Sequence, residues 1–398
     1  MRILIYTHTF APQVGGVETV VMSLASGLAG VTGDDGLASQ KVTVATATPR
    51  GEFDDQLLPF RVVRQPTLLQ LVRLVRSADV IQMAGPSFLP MLIGLILFRP
   101  VVVAYYGFQT ICPNGQLLYK PTQAPCPGHF TAGNHRECIR CNAQSGVLHS
   151  LTMWLLTFPR RWLCSCAKVN VTPTNWLSTV LQLPRTITIH LGLPVDANGK
   201  RSCVDSPQPT FAFLGRLVST KGVHILLQAA HRLNAKGLVF ALKIIGDGPE
   251  RARLEAQTRT LGLADRVAFL GYQPDSALPQ LLSDVRTIVM PSLAGETFGL
   301  VAGASMMRAT VPIVSDIGAL AEVVGDTGLK FPPGDDAALA GCLEGVLQSD
   351  DFAATGGGRA RERAMAQFTE SRMVAEHLAL YRDLTCRDDK RKVRDRKV

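Results

Sequence analysis

The sequence lacks the long apolar run of a protein that spans a membrane. Its longest one, FLPMLIGLILF at Phe88–Phe98, has about half the length of a helix that crosses a bilayer. The first residues, MRILIYTHTF, have the pattern of a short strand, without the basic flank or cleavage site of a signal peptide. We therefore expect a cytoplasmic protein, whose nine cysteines are reduced thiols or metal ligands rather than disulfides.

Paired aspartates and aromatic residues are also scarce. The chain has no Asp-x-Asp sequence, which argues against a metal ion held by two aspartates, so cationic side chains must neutralise any phosphate. Aromatic residues make up 6% of the chain and no basic stripe contains them, which argues against nucleic acid as a partner. Of the net charge of +9, the tail at 386–398 supplies +4, from seven basic and three acidic residues. Two interpretations of this tail stay open: a frayed, solvated end or a contact with anionic lipid.

Apolar segments and helical stretches alternate twice along the chain. The 398 residues are too many for one ordinary core and suit two domains. The pattern predicts an α/β fold with two doubly wound parallel sheets. The predicted strands lie at 2–7, 41–47, 78–85, 99–107, 167–174, 210–216, 240–248, 266–271, 286–292 and 311–316. The polar segment 197–210 is the predicted linker, and ligands should bind at the carboxyl ends of the strands, in a cleft that the two domains face.

Three loops after strands of the second half are candidates for holding phosphate. In FLGRLVSTKGV, Arg216 and Lys221 flank a turn before a helix, where an arginine and a lysine can neutralise a diphosphate. IIGDGPER, with Gly246, and GETFGLVAGASMM, with Gly299 and Leu300 at a helix start, are the other two. Without these two neighbours, Arg216 and Lys221 would be interpreted as ordinary surface cations.

The chain resembles the family-4 glycosyltransferases, which are retaining, nucleotide-sugar-dependent enzymes of the GT-B fold. The matching segments, in the order of the family, are PQVGGVE (12–18), FLGRLVSTKGV (213–223), IIGDGPER (244–251), MPSLAGETFGL (290–300), SDIGALAEVVGDTGLKFPPGDDAALA (315–340) and QFTESRMVAEHLALYRDL (367–384). The resemblance implies an acceptor-side Rossmann-like domain at 1–196, a nucleotide-sugar-binding domain at 211–365, and a helix at 366–385 that returns to the first domain.

The resemblance also implies roles for individual residues. Arg216 and Lys221 would bind the donor diphosphate and stabilise charge on the departing nucleotide, and Glu296 would hydrogen-bond hydroxyls of the donor sugar. Further donor contacts are expected at Gly15, Gly16, Gly215, Gly246, Phe298, Gly299 and Leu300. Glu322 is expected to be structural, and catalysis is expected to require no cofactor.

Two positions depart from the pattern of the family. Members usually carry a second glutamate eight positions after the first, in contact with the nucleotide ribose, where this chain has Ala304. Tyr106–Gly107 stands in place of a His-Gly or His-Asp pair that lines the donor–acceptor cleft. Since a hydrogen bond to a charged group contributes about 1.5–3 kcal/mol, Ala304 should weaken donor binding about ten- to a hundredfold. An active enzyme is favoured, and a degraded binding or scaffold module is the alternative.

Four cysteines lie in a predicted insertion at 112–141 of the first domain: Cys112, Cys126, Cys138 and Cys141. The last two form a Cys-x-x-Cys pair, and tetrahedral zinc favours four thiolates from such pairs. His129 and His135 are substitute ligands. A structural zinc and a reduced loop both stay open.

The expected activity is transfer of a sugar from a nucleotide diphosphate sugar to a hydroxyl of a glycan or a lipid-linked acceptor. No residue stands out as an enzymic nucleophile, so a same-face displacement assisted by the leaving phosphate is favoured. The apolar segment 147–163, with Arg160 and Arg161, is interpreted either as an interfacial helix or as a helix packed on the core. A peripheral contact with the inner face of the membrane would suit a lipid-linked acceptor. A nucleotide-sugar epimerase is the rival within this fold.

Overall fold

The computed structural model describes residues 1–32, 40–195 and 208–395, which form two compact units. The first unit contains Met1–Gln116, Gly128–Gly192 and the residues from Phe368 onward, and the second contains Leu117–Pro127 and Leu193–Gln367. Part of the predicted insertion, 117–127, thus groups with the second unit. Most of the predicted linker, 197–207, lies outside the described residues, and its last residue, Thr210, begins a strand.

Fifteen strands and fourteen α-helices are assigned within the described residues. The strands are β1 (Arg2–Thr7), β2 (Lys41–Thr46), β3 (Arg61–Arg64), β4 (Val80–Ala84), β5 (Val101–Ala104), β6 (Leu118–Tyr119), β7 (Ala124–Pro125), β8 (Val169–Thr172), β9 (Thr186–Thr188), β10 (Thr210–Leu214), β11 (Ala241–Ile245), β12 (Val267–Gly271), β13 (Val285–Met290), β14 (Val311–Ser315) and β15 (Leu329–Phe331). The helices are α1 (Gly16–Ala29), α2 (Leu68–Ser77), α3 (Phe88–Ile96), α4 (His135–Asn142), α5 (Val147–Cys166), α6 (Asn175–Leu181), α7 (Val223–Ala235), α8 (Arg251–Thr260), α9 (Leu278–Leu281), α10 (Leu300–Met307), α11 (Gly318–Val324), α12 (Asp336–Gln348), α13 (Asp350–Gln367) and α14 (Glu370–Asp395).

The first unit is built on a seven-stranded parallel sheet in the order β3-β2-β1-β4-β5-β8-β9. Its central strands are buried almost throughout, because helices cover both faces of such a sheet. The connections through α2, α3 and α5 all advance in one direction along the sheet, so right-handed crossovers place these three helices on one face. The connection through α1 advances the other way, which places α1 on the opposite face.

The second unit is built on a six-stranded parallel sheet in the order β12-β11-β10-β13-β14-β15. Its largest core cluster joins Phe211 and Phe213 of β10 to the buried side of α7, where Leu226 and Leu233 are fully covered. The two parallel sheets confirm the predicted fold class. Because the fold is doubly wound, ligand sites are expected where the loops leave the carboxyl ends of the strands.

The last helix, α14, packs against α1 in the first unit, and the Ser23 hydroxyl donates to the Glu370 carboxylate at 2.5 Å. The helix continues to Asp395, so the predicted end of the helix at 385, before the basic tail, is wrong. The segment 386–395 contains no glycine or proline and is rich in arginine and lysine, which favour helices. None of the described helices is both long enough and apolar enough to cross a membrane.

Candidate active site

Three predicted phosphate loops leave neighbouring strands of the second sheet. The strands β11, β10 and β13 lie side by side, so their carboxyl ends meet at one edge of the sheet. The loops that follow them are 215–222 after β10, 246–250 after β11 and 291–299 after β13. The structure therefore brings together three segments that are separated by up to about 75 residues of sequence.

Backbone hydrogen bonds join these loops to one another. The Leu217 amide donates to the carbonyl of Asp247 at 2.8 Å, and the Glu250 amide donates to the carbonyl of Leu217 at 3.1 Å. On the other side, the Leu293 amide donates to the carbonyl of Thr220 at 2.8 Å. The first loop is thereby fixed between the other two.

Glycines allow the close approach of these loops. Gly222 has φ +65° before α7, and a β-carbon there would lie 1.9 Å from the carbonyl oxygen of Pro291. At Gly246, with φ +130°, a β-carbon would lie 2.0 Å from the carbonyl oxygen of Gly215. The amide of Gly215 donates to the carbonyl of Ile245, and that of Gly246 donates to the carbonyl of Gly271. In this structure Gly215 and Gly246 therefore serve loop packing, and their amides already have backbone acceptors.

Lys221 and Glu296 form the central contact of the site. The Lys221 Nζ atom lies 2.7 Å from Glu296 Oε1, and the Ser292 hydroxyl donates to the same oxygen at 2.6 Å. The side chains of Lys221 and Glu296 are 30% and 16% exposed. Burial raises the pKa of Glu296, but the charge of Lys221 and the hydrogen bonds from Lys221 and Ser292 outweigh it, so the net pKa is lowered. Glu296 is therefore an ionised hydrogen-bond acceptor at neutral pH.

Arg216 occupies the tip of the first loop, between Gly215 and the buried Leu217. Its side chain is exposed, and among the described residues it forms no ion pair. Lys221 is paired with Glu296, so an anion that binds Lys221 must compete with this carboxylate. Arg216 can bind an anion without such competition. This arrangement suits a ligand with two negative charges.

The third loop ends at the start of α10. Gly299 is the N-cap in a left-handed conformation with φ +90°, and a β-carbon there would lie 2.4 Å from Leu320 Cδ2. Phe298 is buried beside it, and Leu300 begins the helix. The first amides of a helix have no intrahelical acceptor, so this position favours an anion. Ala304 lies one turn further along α10 and is half-buried.

Four of the predicted site residues lie in the first unit: Gly15, Gly16, Tyr106 and Gly107. Gly15 is the N-cap of α1 and Gly16 its first residue, with an extended backbone at Gly15. Tyr106 and Gly107 follow β5 directly after the buried Tyr105. Burial raises the pKa of Tyr106 well above its ordinary value, so this phenol remains protonated and does not act as a base near neutral pH.

The four cysteines of the predicted insertion are divided between the two units. Cys112, Cys138 and Cys141 are buried in the first unit, whereas Cys126 belongs to the segment that groups with the second unit. The Cys112 thiol donates to the Asn114 side-chain oxygen at 3.0 Å, and the Asn114 side-chain nitrogen lies 3.8 Å from Cys141 Sγ. Nowhere in the described part of the chain do three or more His, Cys, Asp or Glu residues converge as metal ligands. The Asn114 side chain thus contacts both Cys112 and Cys141.

Sequence reasoning missed Ser292. It is fully buried at the end of β13, four residues before Glu296, and its hydroxyl holds the carboxylate in place. A polar residue directly after a buried strand was the available signal. Glu322 lies on α11, where its backbone carbonyl accepts a hydrogen bond from Arg363 at 2.8 Å.

Comparison with known proteins places this site in a family context. The family model of glycosyl transferases group 1 matches residues 196–363. The 2-deoxystreptamine glucosyltransferase of Streptomyces kanamyceticus is 33% identical over 142 residues, which are 35% of this chain and 36% of that enzyme. The phosphatidyl-myo-inositol mannosyltransferase of Mycolicibacterium smegmatis is 32% identical over 157 residues, 39% of this chain and 40% of that enzyme. The chain thus spans less than half the length of these curated relatives.

The fold has counterparts among solved structures. The structure of HepE from Anabaena in complex with UDP matches with a TM-score of 0.70 over 96% of this chain and 100% of that chain, at 19% identity. At this identity the likeness concerns the fold, which is GT-B. Arg216, Lys221 and Glu296 all lie within residues 196–363, the segment that the family model of glycosyl transferases group 1 matches.

Proposed function

We propose that this protein is a retaining glycosyltransferase that uses a nucleotide diphosphate sugar, and that the three joined loops bind the donor. The observation that carries the proposal is the pair of Lys221 and Glu296, 2.7 Å apart, beside the exposed Arg216. The cations suit a diphosphate, and a carboxylate with a lowered pKa suits the hydroxyls of a sugar. UDP is the first nucleotide to test, since the structure of HepE contains it.

The chemical step proposed is a displacement on one face of the sugar. The bond between the anomeric carbon and the β-phosphate oxygen breaks, the acceptor oxygen bonds to the anomeric carbon, and the acceptor proton passes to the leaving phosphate. Arg216, Lys221 and the amides at the start of α10 would stabilise the negative charge that develops on that phosphate. Such groups are worth more in the transition state than in the ground state, because the charge on the phosphate increases as the bond breaks.

The proposed acceptor is a hydroxyl of a glycan or of a lipid-linked sugar, met at the inner face of a membrane. One relative is named for a lipid acceptor, phosphatidyl-myo-inositol. The proposed residues of the acceptor cleft are Tyr106 and Gly107 of the first unit, and Gly15 and Gly16 are proposed as further donor contacts.

Calorimetric titration with UDP-, GDP- and ADP-sugars tests the donor site. We expect saturable binding of one nucleotide class, which is lost in Arg216→Ala and kept in Arg232→Ala, where an exposed arginine pairs with Asp336. Absence of binding across the panel would contradict the proposal and favour a degraded scaffold, to which Ala304 and Tyr106 point. An NMR assignment of the product's anomeric configuration then tests retention.

A further inference from the structure

Large apolar side chains are exposed on the helices that cover one face of the first sheet. The set that we call the α3–α5 face consists of Leu89, Leu92 and Ile96 on α3 and Leu148, Leu155 and Trp162 on α5. Leu148 is 79% exposed and Trp162 is 64% exposed. Single exposed apolar residues are ordinary, but six on two adjacent helices form a patch of the kind that marks an interaction site.

The spacing of these residues places them on one side of each helix. On α3 they are separated by three and four residues, and on α5 by seven, so each row follows one helical stripe. The two helices are in contact, and the Arg160 guanidinium lies 5.2 Å from the centroid of the Phe88 ring. The other side of α3 is buried at Met91 and Gly94, and Gly94 lies against Ile81 and Val101 of the sheet. The exposed stripes therefore point away from the sheet.

The helices α2, α3 and α5 carry charges of one sign. The helices α2, α3 and α5 contain four arginines and no aspartate or glutamate. Arg160 and Arg161 donate to backbone carbonyls of Gln109 and Leu181, whereas Arg73 and Arg76 on α2 are exposed. Arg73 and Arg76 share a stripe of α2 with the exposed Leu69, and neither forms an ion pair within the described residues. The patch is thus apolar with a basic margin.

We propose that the α3–α5 face docks on the surface of an anionic lipid bilayer. The apolar side chains would enter the interfacial region, and Arg73 and Arg76 would meet lipid phosphates. A second copy of the chain is a poorer occupant, because its identical face would bring arginines together without an acidic partner. The biological purpose of this docking rests on the proposed function: it would bring a glycosyltransferase to an acceptor in the membrane. Docking itself requires no turnover.

Co-sedimentation with vesicles at low salt tests the docking. Wild-type protein should bind vesicles of phosphatidylcholine and phosphatidylglycerol more tightly than vesicles of phosphatidylcholine alone. Replacing both Arg73 and Arg76 with glutamine should weaken binding to the anionic vesicles about twenty-fivefold, since each cation near the surface contributes a factor of about five. The variant Leu92→Gln/Ile96→Gln/Trp162→Gln should weaken binding at least about tenfold. Leu57→Gln, at a site that is 82% exposed in the same unit but outside the three helices, should bind like wild type.

Three outcomes would overturn the proposal. They are no binding of the wild-type protein to anionic vesicles, an equal loss in Leu57→Gln, and a concentration-dependent dimer that the Leu92→Gln/Ile96→Gln/Trp162→Gln variant abolishes without any vesicle binding. Calorimetric titration with UDP-sugar on the same preparations keeps the two proposals apart. If donor binding persists but vesicle binding fails, only the proposed docking surface is refuted. If vesicle binding persists but donor binding fails, only the proposed glycosyltransferase function is refuted.

Discussion

Lys221 Nζ and Glu296 Oε1 lie 2.7 Å apart although 75 residues separate them in sequence. One follows β10 and the other follows β13, which are adjacent in the sheet. The ion pair holds the third loop against the first and keeps the carboxylate ionised. In the proposed donor site, a diphosphate that approaches Lys221 would share this cation with Glu296, so the pair would link phosphate binding to sugar binding.

Replacing Glu296 with glutamine tests this link. Glu296→Gln keeps the size of the side chain but removes its charge, so the ammonium of Lys221 and the hydroxyl of Ser292 lose their ionised acceptor. Because a hydrogen bond to a charged group contributes about 1.5–3 kcal/mol, we expect kcat/KM to fall about ten- to a hundredfold. Steady-state kinetics with the donor identified by calorimetry measures the change. Glu344→Gln, which disrupts an exposed pair with Lys236 in the same unit, should leave kcat/KM unchanged, and an equal loss there would refute the link.

Replacing Gly222 with alanine is expected to destabilise the fold strongly. A β-carbon at this position would lie 1.9 Å from the Pro291 carbonyl oxygen, so the two loops must separate. Gly237 is a matched control, because its φ of +74° is similar and a β-carbon there would have no neighbouring atom within 4 Å. We expect Gly237→Ala to destabilise by about 1 kcal/mol and Gly222→Ala by at least about 3 kcal/mol, in urea unfolding. Equal losses in the two variants would show that the contact with Pro291 relaxes easily.

His377 should make the protein sensitive to acid. It is buried on α14, with its Nδ1 atom 2.9 Å from the Met373 carbonyl oxygen, and burial lowers its pKa from 6.5 to about 4. As the pH falls, His377 is therefore protonated in the unfolded chain before it is protonated in the folded protein. The free energy of unfolding is highest above pH 6.5 and decreases as the pH falls towards 4. The loss should reach about 3 kcal/mol.

Urea unfolding from pH 7 to pH 4 measures this effect. His377→Gln removes the titrating group, so the stability of this variant should fall less steeply over that range than the stability of wild type. His149→Gln, at an exposed histidine on α5, should follow the wild-type curve. Parallel curves for wild type and His377→Gln would contradict the assignment of the acid sensitivity to His377.

The fold was predictable because buried parallel strands are nearly continuous apolar runs. The segment TFAFL of β10, for example, is buried along almost its whole length, and the alternation of such runs with helices predicts a doubly wound sheet. The end of α14 was not predictable, since the charged segment after Leu384 has the composition of a solvated tail as well as that of a helix.

The sequence led to proposed members of the site, but it did not predict their contacts. Arg216 and Lys221 were proposed from a loop pattern and Glu296 from the resemblance to family-4 glycosyltransferases, whereas the ion pair depends on which strands are neighbours. The role of Ser292 depends on one rotamer in a loop, which no pattern specifies. The cysteines show the same limit: their spacing is compatible with zinc, but it does not predict that Asn114 contacts both Cys112 and Cys141.

Ala304→Glu should strengthen binding of the nucleotide. Ala304 is half-buried on α10, eight positions after Glu296, where the resemblance to family-4 glycosyltransferases implies a carboxylate that accepts hydrogen bonds from the ribose. A carboxylate restored there should lower the Kd for the nucleotide about ten- to a hundredfold. Ala304→Gln, of similar size without the charge, should give a smaller gain, because an uncharged acceptor forms a weaker hydrogen bond. Calorimetric titration of both variants with the preferred nucleotide makes the comparison. A Kd that is unchanged in Ala304→Glu would mean that the ribose does not approach α10, and the proposed orientation of the donor along the three loops would have to be abandoned.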